Sequence, residues 1–429
     1  MMTNFDEKDL LARELRERSA DVDGHPIGFD AVRQSARKIR RRRNMVTGAV
    51  AAVVASVALP TGVAVVSAID GPNGGKEPTV ATSPNTDAPS ADTTPLPAPT
   101  PRPDGSFPLT LRDIPRGEDP QVDYVLNSER MLVTPEGRYD LPEAYTQIVP
   151  YRDGWLALGE SRNGSVNLVL DSEMNVLDRT LGGQGLALNA DGSRVLLVQR
   201  DFNVPGRTVV EDRPAESDYE REAITYDAPS GRAIAPVGYL DEQRAVYQTL
   251  DGENLVIEMV VNDDDPHAVP LEGFDKVTSV SEATGLVAGS VEGTYDVMKG
   301  SCYGVMDPAA STTEMVFETC DYSLYEFSPD GRYVIAGPTY FDMWGPPELT
   351  VLDTETWKPV VEFSPEKDVI GQVAQATWED EDTVAAIVVE NDDFGIVRAE
   401  LDGRLELTTG TYKSSDMSSQ LWFAEKPRF

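Results

Sequence analysis

Histidine, cysteine and positive charge are all scarce in this chain of 429 residues. It has two His and two Cys, and its 37 Lys and Arg stand against 73 Asp and Glu. So few His argue against His-rich metal sites and against most His-dependent catalytic triads. The net charge of -36 argues against nucleic-acid binding by the bulk of the protein, because one polyanion repels another. We therefore expect no cofactor, no metal ion and no nucleic-acid partner.

Long apolar runs are rare as well, and one stands out. Residues 45–69 form a 25-residue stretch without a charge, which at about 1.5 Å per residue is long enough for a hydrocarbon layer of roughly 30 Å. The stretch predicts one transmembrane helix, in which Pro60 would be tolerated. A buried core helix is one alternative. The other is a cleaved signal peptide, since Val66-Ser67-Ala68 resembles a cleavage site.

The charges on either side of this span predict its orientation. Residues 1–44 carry net +3, whereas residues 45–429 carry -39. Six basic residues come shortly before the span: Arg37, Lys38, Arg40, Arg41, Arg42 and Arg43. By the positive-inside rule the N-terminus is cytoplasmic and the acidic bulk is exported. We expect a single-pass protein of the cell membrane with its C-terminal domain outside.

The two segments beside the span contain little that could form a core. Within the basic segment 1–44, Phe29, Val32, Ala36 and Ile39 are spaced for a basic amphipathic helix. That helix would be a lipid anchor, or else residues 5–40 would dock a cytoplasmic partner. After the span, residues 70–106 are rich in Pro, Ser and Thr and predict a disordered, extended linker.

The remaining 323 residues, 107–429, show short apolar runs separated by turn signals, which is typical of an all-β domain. Two cues alternate along it. The first is a strand, an Asp or Gly turn and another strand, as in QIVPYRDGWLALGE (147–160), GLALNADGSRVLLVQ (185–199), LYEFSPDGRYVIAG (324–337) and QATWEDEDTVAAIVV (375–389). The second is a strand ending near Asp, a short turn and a strand, as in NLVLDSEMNVLDRTL (167–181), AITYDAPSGRAIAPV (223–237), LTVLDTETWKPVVEF (349–363) and VRAELDGRLELTTG (397–410). One pair of cues predicts four strands.

The turn residues of the first cue recur at a regular spacing. Asp153, Asp191, Asp241, Asp330 and Asp380 occupy it, with Glu282 in a weaker copy, and the intervals are 38, 50, 41, 48 and 50 residues. That period is typical of a four-stranded propeller blade and predicts about seven blades. The two ends of the domain, near 122–142 and 419–425, would share one blade and close the ring. The length also admits six or eight blades, and two β-sandwiches are the rival fold.

On these turns the domain resembles the WD-repeat-like and TolB-like β-propellers, specifically the membrane-anchored forms of actinobacteria. The resemblance rests on the turn Ser328-Pro329-Asp330-Gly331, on Ala190-Asp191-Gly192, and on the hairpins after Leu170-Asp171 and Leu352-Asp353. The Gly-His and Trp-Asp dipeptides of true WD repeats do not occur in register. The resemblance implies a binding or scaffolding module and supplies no catalytic residue.

Few residues are candidates for chemistry. Cys302 and Cys320, both on the exported side, predict a disulfide, the alternative being two buried thiols. The acidic runs 263–265, 379–382 and 392–393 lack the spacing of a calcium loop and are expected to be solvated, with His267 a surface residue. Gly183-Gln184-Gly185 is expected to be a turn. Five Trp are expected mainly in the core: Trp155, Trp344, Trp357, Trp378 and Trp422.

The function expected from these observations is that of a membrane-tethered, extracytoplasmic binding or protein-interaction module, with an unknown protein or glycan ligand. One alternative is a transmembrane signalling regulator that engages a cytoplasmic partner. The other is a carboxylate-dependent hydrolase or lyase acting on glycan, which would need two carboxylates roughly 5 to 10 Å apart.

Overall fold

The computed structural model describes most of the C-terminal domain, residues 107–429, and a short stretch before it. The described residues are 99–426 without the following: 163, 201–206, 217–223, 228–231, 252–253, 262–266, 297–298, 311–313, 340–344, 367–368, 370 and 414–420. Several predictions lie outside them: the basic segment with its six topology residues, the apolar span, most of the linker, the acidic run 263–265 and Trp344. Within the described ranges, no helix is long and apolar enough to cross a membrane.

The described residues form thirty strands, arranged in seven sheets that we call blades 1 to 7. Blade 1 holds β2 (Tyr124–Leu126), β3 (Met131–Thr134), β4 (Gly137–Asp140) and β30 (Leu421–Phe423). Blade 2 holds β5 (Tyr145–Tyr151), β6 (Gly154–Ser161), β7 (Gly164–Leu170) and β8 (Val176–Leu181). Blade 3 holds β9 (Gly183–Leu188), β10 (Arg194–Arg200), β11 (Thr208–Pro214) and β12 (Ile224–Asp227). Blade 4 holds β13 (Arg232–Tyr239), β14 (Arg244–Asp251), β15 (Asn254–Val261) and β16 (His267–Pro270).

The last three blades follow the same order. Blade 5 holds β17 (Phe274–Val280), β18 (Val287–Val291), β19 (Tyr303–Met306) and β20 (Met315–Thr319). Blade 6 holds β21 (Tyr322–Phe327), β22 (Tyr333–Pro338), β23 (Leu349–Asp353) and β24 (Pro359–Pro365), with β1 (Phe107–Leu109) added at its outer edge. Blade 7 holds β25 (Gly371–Trp378), β26 (Thr383–Glu390), β27 (Asp393–Glu400) and β28 (Leu405–Leu407), and β29 (Tyr412–Lys413) also pairs with β27. The fold is therefore an all-β propeller of seven four-stranded blades.

The core lies between the blades. Seven buried apolar clusters exist in the described residues, and each is shared by two consecutive blades, including blades 7 and 1. A blade is thus covered on both faces, which is why strands such as β26 read as nearly continuous apolar runs. The ring is closed by this packing as well as by strand pairing.

The two ends of the domain meet in blade 1, as the sequence predicts. The C-terminal strand β30 is the innermost strand there and pairs antiparallel with β2, so that Tyr124 lies opposite Phe423 and Leu126 opposite Leu421. Trp422 and Phe423 are almost completely buried between the neighbouring blades. This pairing removes the free inner edge that an open ring would expose.

An N-terminal strap of residues 99–121 runs outside blades 6 and 7 before the first blade begins. Its strand β1 pairs in parallel with the outermost strand of blade 6. Glu390, only 3% exposed, accepts hydrogen bonds from the backbone N–H of Leu111 and the hydroxyl of Thr110, and it pairs with Arg112. The turn from Arg102 to Ser106, which the sequence assigned to the linker, is hydrogen-bonded and is part of this strap.

One predicted turn and one predicted hairpin are wrong. Gly183-Gln184-Gly185 is not a turn but the start of strand β9. AITYDAPSGRAIAPV was expected to be the second hairpin of one blade, but its first strand is the outermost strand of blade 3 and its second is the innermost strand of blade 4. A short turn between two apolar strands is the same local signal whether it lies within a blade or joins two blades.

The innermost strands are joined to one another by side chains next to a β-bulge. In β5 the register shifts at Thr146, and the following residue, Gln147, reaches the next blade. Its Nε2 donates to the carbonyl of Leu186 at 2.6 Å and to that of Glu425 at 2.8 Å, and its Oε1 accepts from the N–H of Leu186 at 3.0 Å. One side chain therefore links blades 1, 2 and 3.

Candidate functional site

The two ends of the ring differ, and we name them by their connections. The turn face carries the turns between the first and second strands of each blade. These turns lie together, since Glu282 of blade 5 accepts a hydrogen bond from the N–H of Ala190 in blade 3. The loop face carries the opposite connections, and there Gly300 of blade 5 abuts Thr339 of blade 6.

The repeated acidic residues form the turns of the turn face. Asp153, Asp191, Asp241, Asp330 and Asp380 all lie between the first two strands of their blades. The last four each accept a hydrogen bond from a backbone N–H two residues further on. Such Asx turns explain the recurrence of Asp by local geometry, without a ligand. Asp153 differs, because one carboxylate oxygen is buried without a partner and burial raises its pKa.

Two contacts between non-adjacent blades cross the ring at the turn face. The first is the bond from Ala190 to Glu282, whose pKa is raised mainly by burial. The second is the ion pair of Lys426, after the last strand, with Glu326 of blade 6 at 2.8 Å. Each contact links two blades that are separated by one other blade, so the turn face is held together by side chains as well as by its turns.

The loop face carries the two longest connections within a blade. Residues 292–302 join the second and third strands of blade 5, and residues 339–348 do the same in blade 6. Cys302 and Cys320 lie at disulfide distance there, with Sγ atoms 1.91 Å apart, at the loop-face ends of β19 and β20. Tyr295, in the first of these loops, is 69% exposed.

The loop in blade 5 is fixed by local bonds. The hydroxyl of Thr294 donates to the carbonyl of Val291 at 2.7 Å and accepts from the N–H of Cys302 at 3.0 Å. Thr339 of the next blade donates to the carbonyl of Cys320 at 3.0 Å. The loop therefore presents Tyr295 from a braced base that spans two blades.

Beside this loop, strand register brings two carboxylates together between blades 5 and 6. Thr350 lies opposite Glu362 in the antiparallel pair β23 and β24. Glu348, the residue just before β23, precedes Thr350 by two residues, so the alternation of the strand extended by one residue sets it on the same side, and it is repelled by Glu362. Leu324 and Ala336 belong to this row and pack against blade 5, so these side chains face that blade. Two tyrosines flank the row at the edge of the shared core: Tyr303 and Tyr322. We call these five residues, Tyr303, Tyr322, Glu348, Thr350 and Glu362, the acidic cleft.

The charges in the acidic cleft are not balanced within the described part of the chain. No Lys or Arg there lies within ion-pair distance of Glu348 or Glu362. Burial raises the pKa of Glu348, and repulsion from Glu362 and Asp104 raises it further. Burial also raises the pKa of Tyr322, with added effect from Glu362 and Asp321. The cleft is a region of concentrated negative potential.

The other sequence candidates are placed away from this cleft. His267 is exposed at the start of β16, and Glu379 is engaged by Arg398 at 2.6 Å. Trp155, Trp378 and Trp422 are buried in the core. Trp357 is half-buried and stacks on Phe317 of blade 5, with ring centroids 4.3 Å apart. In the described residues, no group of three or more His, Cys, Asp or Glu is arranged to hold a metal ion.

Sequence reasoning missed the acidic cleft. Glu348 and Glu362 are 14 positions apart and belong to no shared motif, so only the register of β23 and β24 brings them together. A pairing prediction for those two strands is the signal that could have found them.

Comparison with known proteins adds fold likeness and nothing more specific. No family model matches the chain, and no curated protein matches it. The β-propeller domain of Cps50 (Swd1) from Myceliophteria thermophila is 13% identical, with a TM-score of 0.42 over 63% of this chain and 87% of that one. A puromycin hydrolase is 12% identical, with a TM-score of 0.47 over 73% of this chain and 58% of the hydrolase. The β-propeller domain of the trilobed protease from Pyrococcus furiosus is 10% identical, with a TM-score of 0.44 over 62% and 86%. These likenesses are weak, so the fold assignment rests on the strand pairing of the chain itself.

Proposed function

We propose that this protein is a membrane-tethered, extracytoplasmic binding module whose propeller holds a protein or glycan partner on the loop face. The apolar span and the basic residues before it support the tether and its orientation. The propeller supplies a rigid ring, and the variable element is the set of loops at one end of it.

The single observation that carries the binding role is the difference between the two faces. The turn face carries the recurring Asx turns and is spanned by two contacts between non-adjacent blades. The loop face instead presents the two longest connections within a blade, an exposed Tyr295 and the acidic cleft. A scaffold with an exposed aromatic side chain and a pair of neighbouring, half-buried carboxylates at one end is the arrangement expected of a recognition surface.

The tether is tested by single cysteines in the full chain. Ser90→Cys in the linker should react with a membrane-impermeant maleimide on intact cells, whereas Ser19→Cys should react only after permeabilisation. Cys302 and Cys320 would not react if they form the disulfide, so the wild-type chain is the blank. Labelling of Ser19→Cys on intact cells would reverse the proposed orientation.

The binding face is tested by photocrosslinking in cells that express the full chain. Benzoylphenylalanine replaces Tyr295 on the loop face in one variant and Glu381, exposed on the turn face, in another. We expect a discrete adduct from position 295 and none from position 381. Adducts from position 381 alone, or from neither position, would refute a partner on the loop face.

A further inference from the structure

We propose that the acidic cleft between blades 5 and 6 binds a cationic side chain, the guanidinium or ammonium group of an Arg or Lys on a partner polypeptide. The proposal rests on the loop-face function above and names the chemistry of the partner. It begins from the two carboxylates, Glu348 and Glu362, which no basic residue in the described part of the chain neutralises.

The two carboxylates are far enough apart to hold one cation between them. Glu348 immediately precedes β23 and lies diagonal to Glu362 on β24, close enough for the two charges to repel. Diagonal neighbours in a sheet are about 7 to 8 Å apart. That is wide enough for one planar guanidinium to lie between them and receive an acceptor on each side. Arg is the cation suited to such two-sided recognition because its donors are fixed in a plane.

The buried hydroxyl of Thr350 independently indicates a missing partner at this site. Its side chain is 0% exposed and its hydroxyl has no hydrogen-bond partner, although buried hydroxyls are nearly always paired. The register sets it directly opposite Glu362, on the same side of the sheet. The hydroxyl is thus placed to donate to that carboxylate when the carboxylate turns inward to hold a cation.

Two tyrosines form the wall of the cleft. Tyr303 and Tyr322 lie half-buried at its edge, on blades 5 and 6 respectively. Aromatic rings stabilise cations near their faces and replace part of the water that the cation loses. Cys302 directly precedes Tyr303, and its proximity to Cys320 at the loop-face ends of β19 and β20 fixes the side of the cleft that carries Tyr303.

The alternative occupant, a divalent metal ion, is less well matched. Calcium takes six to eight oxygen ligands, mostly from carboxylates and carbonyls. Within the described residues no cluster has the three or more acidic, His or Cys ligands that such an ion would need. A single organic cation needs fewer acceptors and gains from the aromatic wall.

The test is titration of the full chain, in a neutral detergent, with a blocked hexa-arginine peptide at 0.15 M salt, measured by calorimetry. The site variant is Glu348→Gln with Glu362→Gln. The matched control is Glu355→Gln with Glu381→Gln, two exposed acids on turn-face connections that change the net charge by the same amount. We expect the site variant to lose at least tenfold in affinity and the control to lose less than twofold.

A third variant isolates the buried hydroxyl. Thr350→Val keeps the shape of the side chain and should lower the affinity about threefold, the worth of one hydrogen bond. Thermal unfolding of each variant confirms that the fold is kept. Equal losses in the site and control variants, or no measurable binding by the wild-type chain, would overturn the proposal.

These outcomes separate the cleft from the wider function. An adduct at position 295 together with unchanged peptide affinity in the site variant would refute the cleft and leave the loop-face module in place. Loss of both would refute both.

Discussion

Gln147 offers the sharpest test of how the ring is held together. It is 2% exposed, and its amide makes three bonds to the backbone of two neighbouring blades, at Leu186 and Glu425. Gln147→Met keeps the length of the side chain but leaves the N–H and carbonyl of Leu186 and the carbonyl of Glu425 without that partner. Each buried polar group that loses its partner costs about 1 to 3 kcal/mol, and partial rehydration of these groups lowers the sum. We expect a loss of about 3 to 5 kcal/mol in the free energy of unfolding.

The matched control is Gln184→Met in the innermost strand of the next blade. The amide of Gln184 donates only to the carbonyls of Gly182 and Gly183 beside it, so its loss should cost about 1 kcal/mol or less. Urea unfolding followed by Trp fluorescence measures both variants. If Gln147→Met lost no more stability than Gln184→Met, the side-chain bonds between innermost strands would not hold the ring.

Three further predictions concern other parts of the molecule. The double variant Cys302→Ser, Cys320→Ser removes a disulfide that closes a loop of 18 residues, and it should lower the free energy of unfolding in urea by roughly 3 kcal/mol. An unchanged midpoint would contradict a formed disulfide. Glu390→Ala removes the acceptor of the strap and should speed tryptic cleavage after Arg112, whereas an unchanged rate would show that the strap is held elsewhere. Glu348→Gln should stabilise the fold at pH 7. Burial raises the pKa of Glu348 in the folded protein, so the folded protein loses stability as the pH rises and this carboxyl ionises, whereas Gln stays neutral. This gain in stability should vanish below about pH 4, where Glu is protonated in the unfolded chain too. A gain that persists in acid would show that the substitution acts through packing and not through charge.

The blade repeat could be predicted from the sequence because each turn carries its own chemistry. An Asp that accepts a backbone N–H two residues on is a local requirement, so Asp191, Asp241, Asp330 and Asp380 recur wherever the first hairpin of a blade closes. The count of about seven blades, and the closing of the ring by its two ends, follow from that period and from the length of the domain.

What escaped prediction depends on pairing between distant residues. The strap strand at Phe107 pairs with Phe363, and no local pattern marks either residue for the other. The acidic cleft is likewise a product of register, since shifting β24 by one residue would turn Glu362 to the opposite side of the blade. In the hairpin at 223–237 the two strands and their turn were predicted correctly, but the two strands belong to different blades. Which blade each strand joins depends on its pairing with distant strands.

A cysteine pair across the seam of blade 1 tests the closed ring most directly. Leu126→Cys with Leu421→Cys joins residues that lie opposite each other in β2 and β30, and Leu126→Cys with Leu255→Cys, which reaches blade 4, is the control. After mild oxidation, proteolysis and mass spectrometry, we predict an intrachain link between the N-terminal and C-terminal peptides of the propeller for the first pair and none for the control. Free thiols at both positions of the first pair, or a link only between two chains, would contradict a ring that closes on itself.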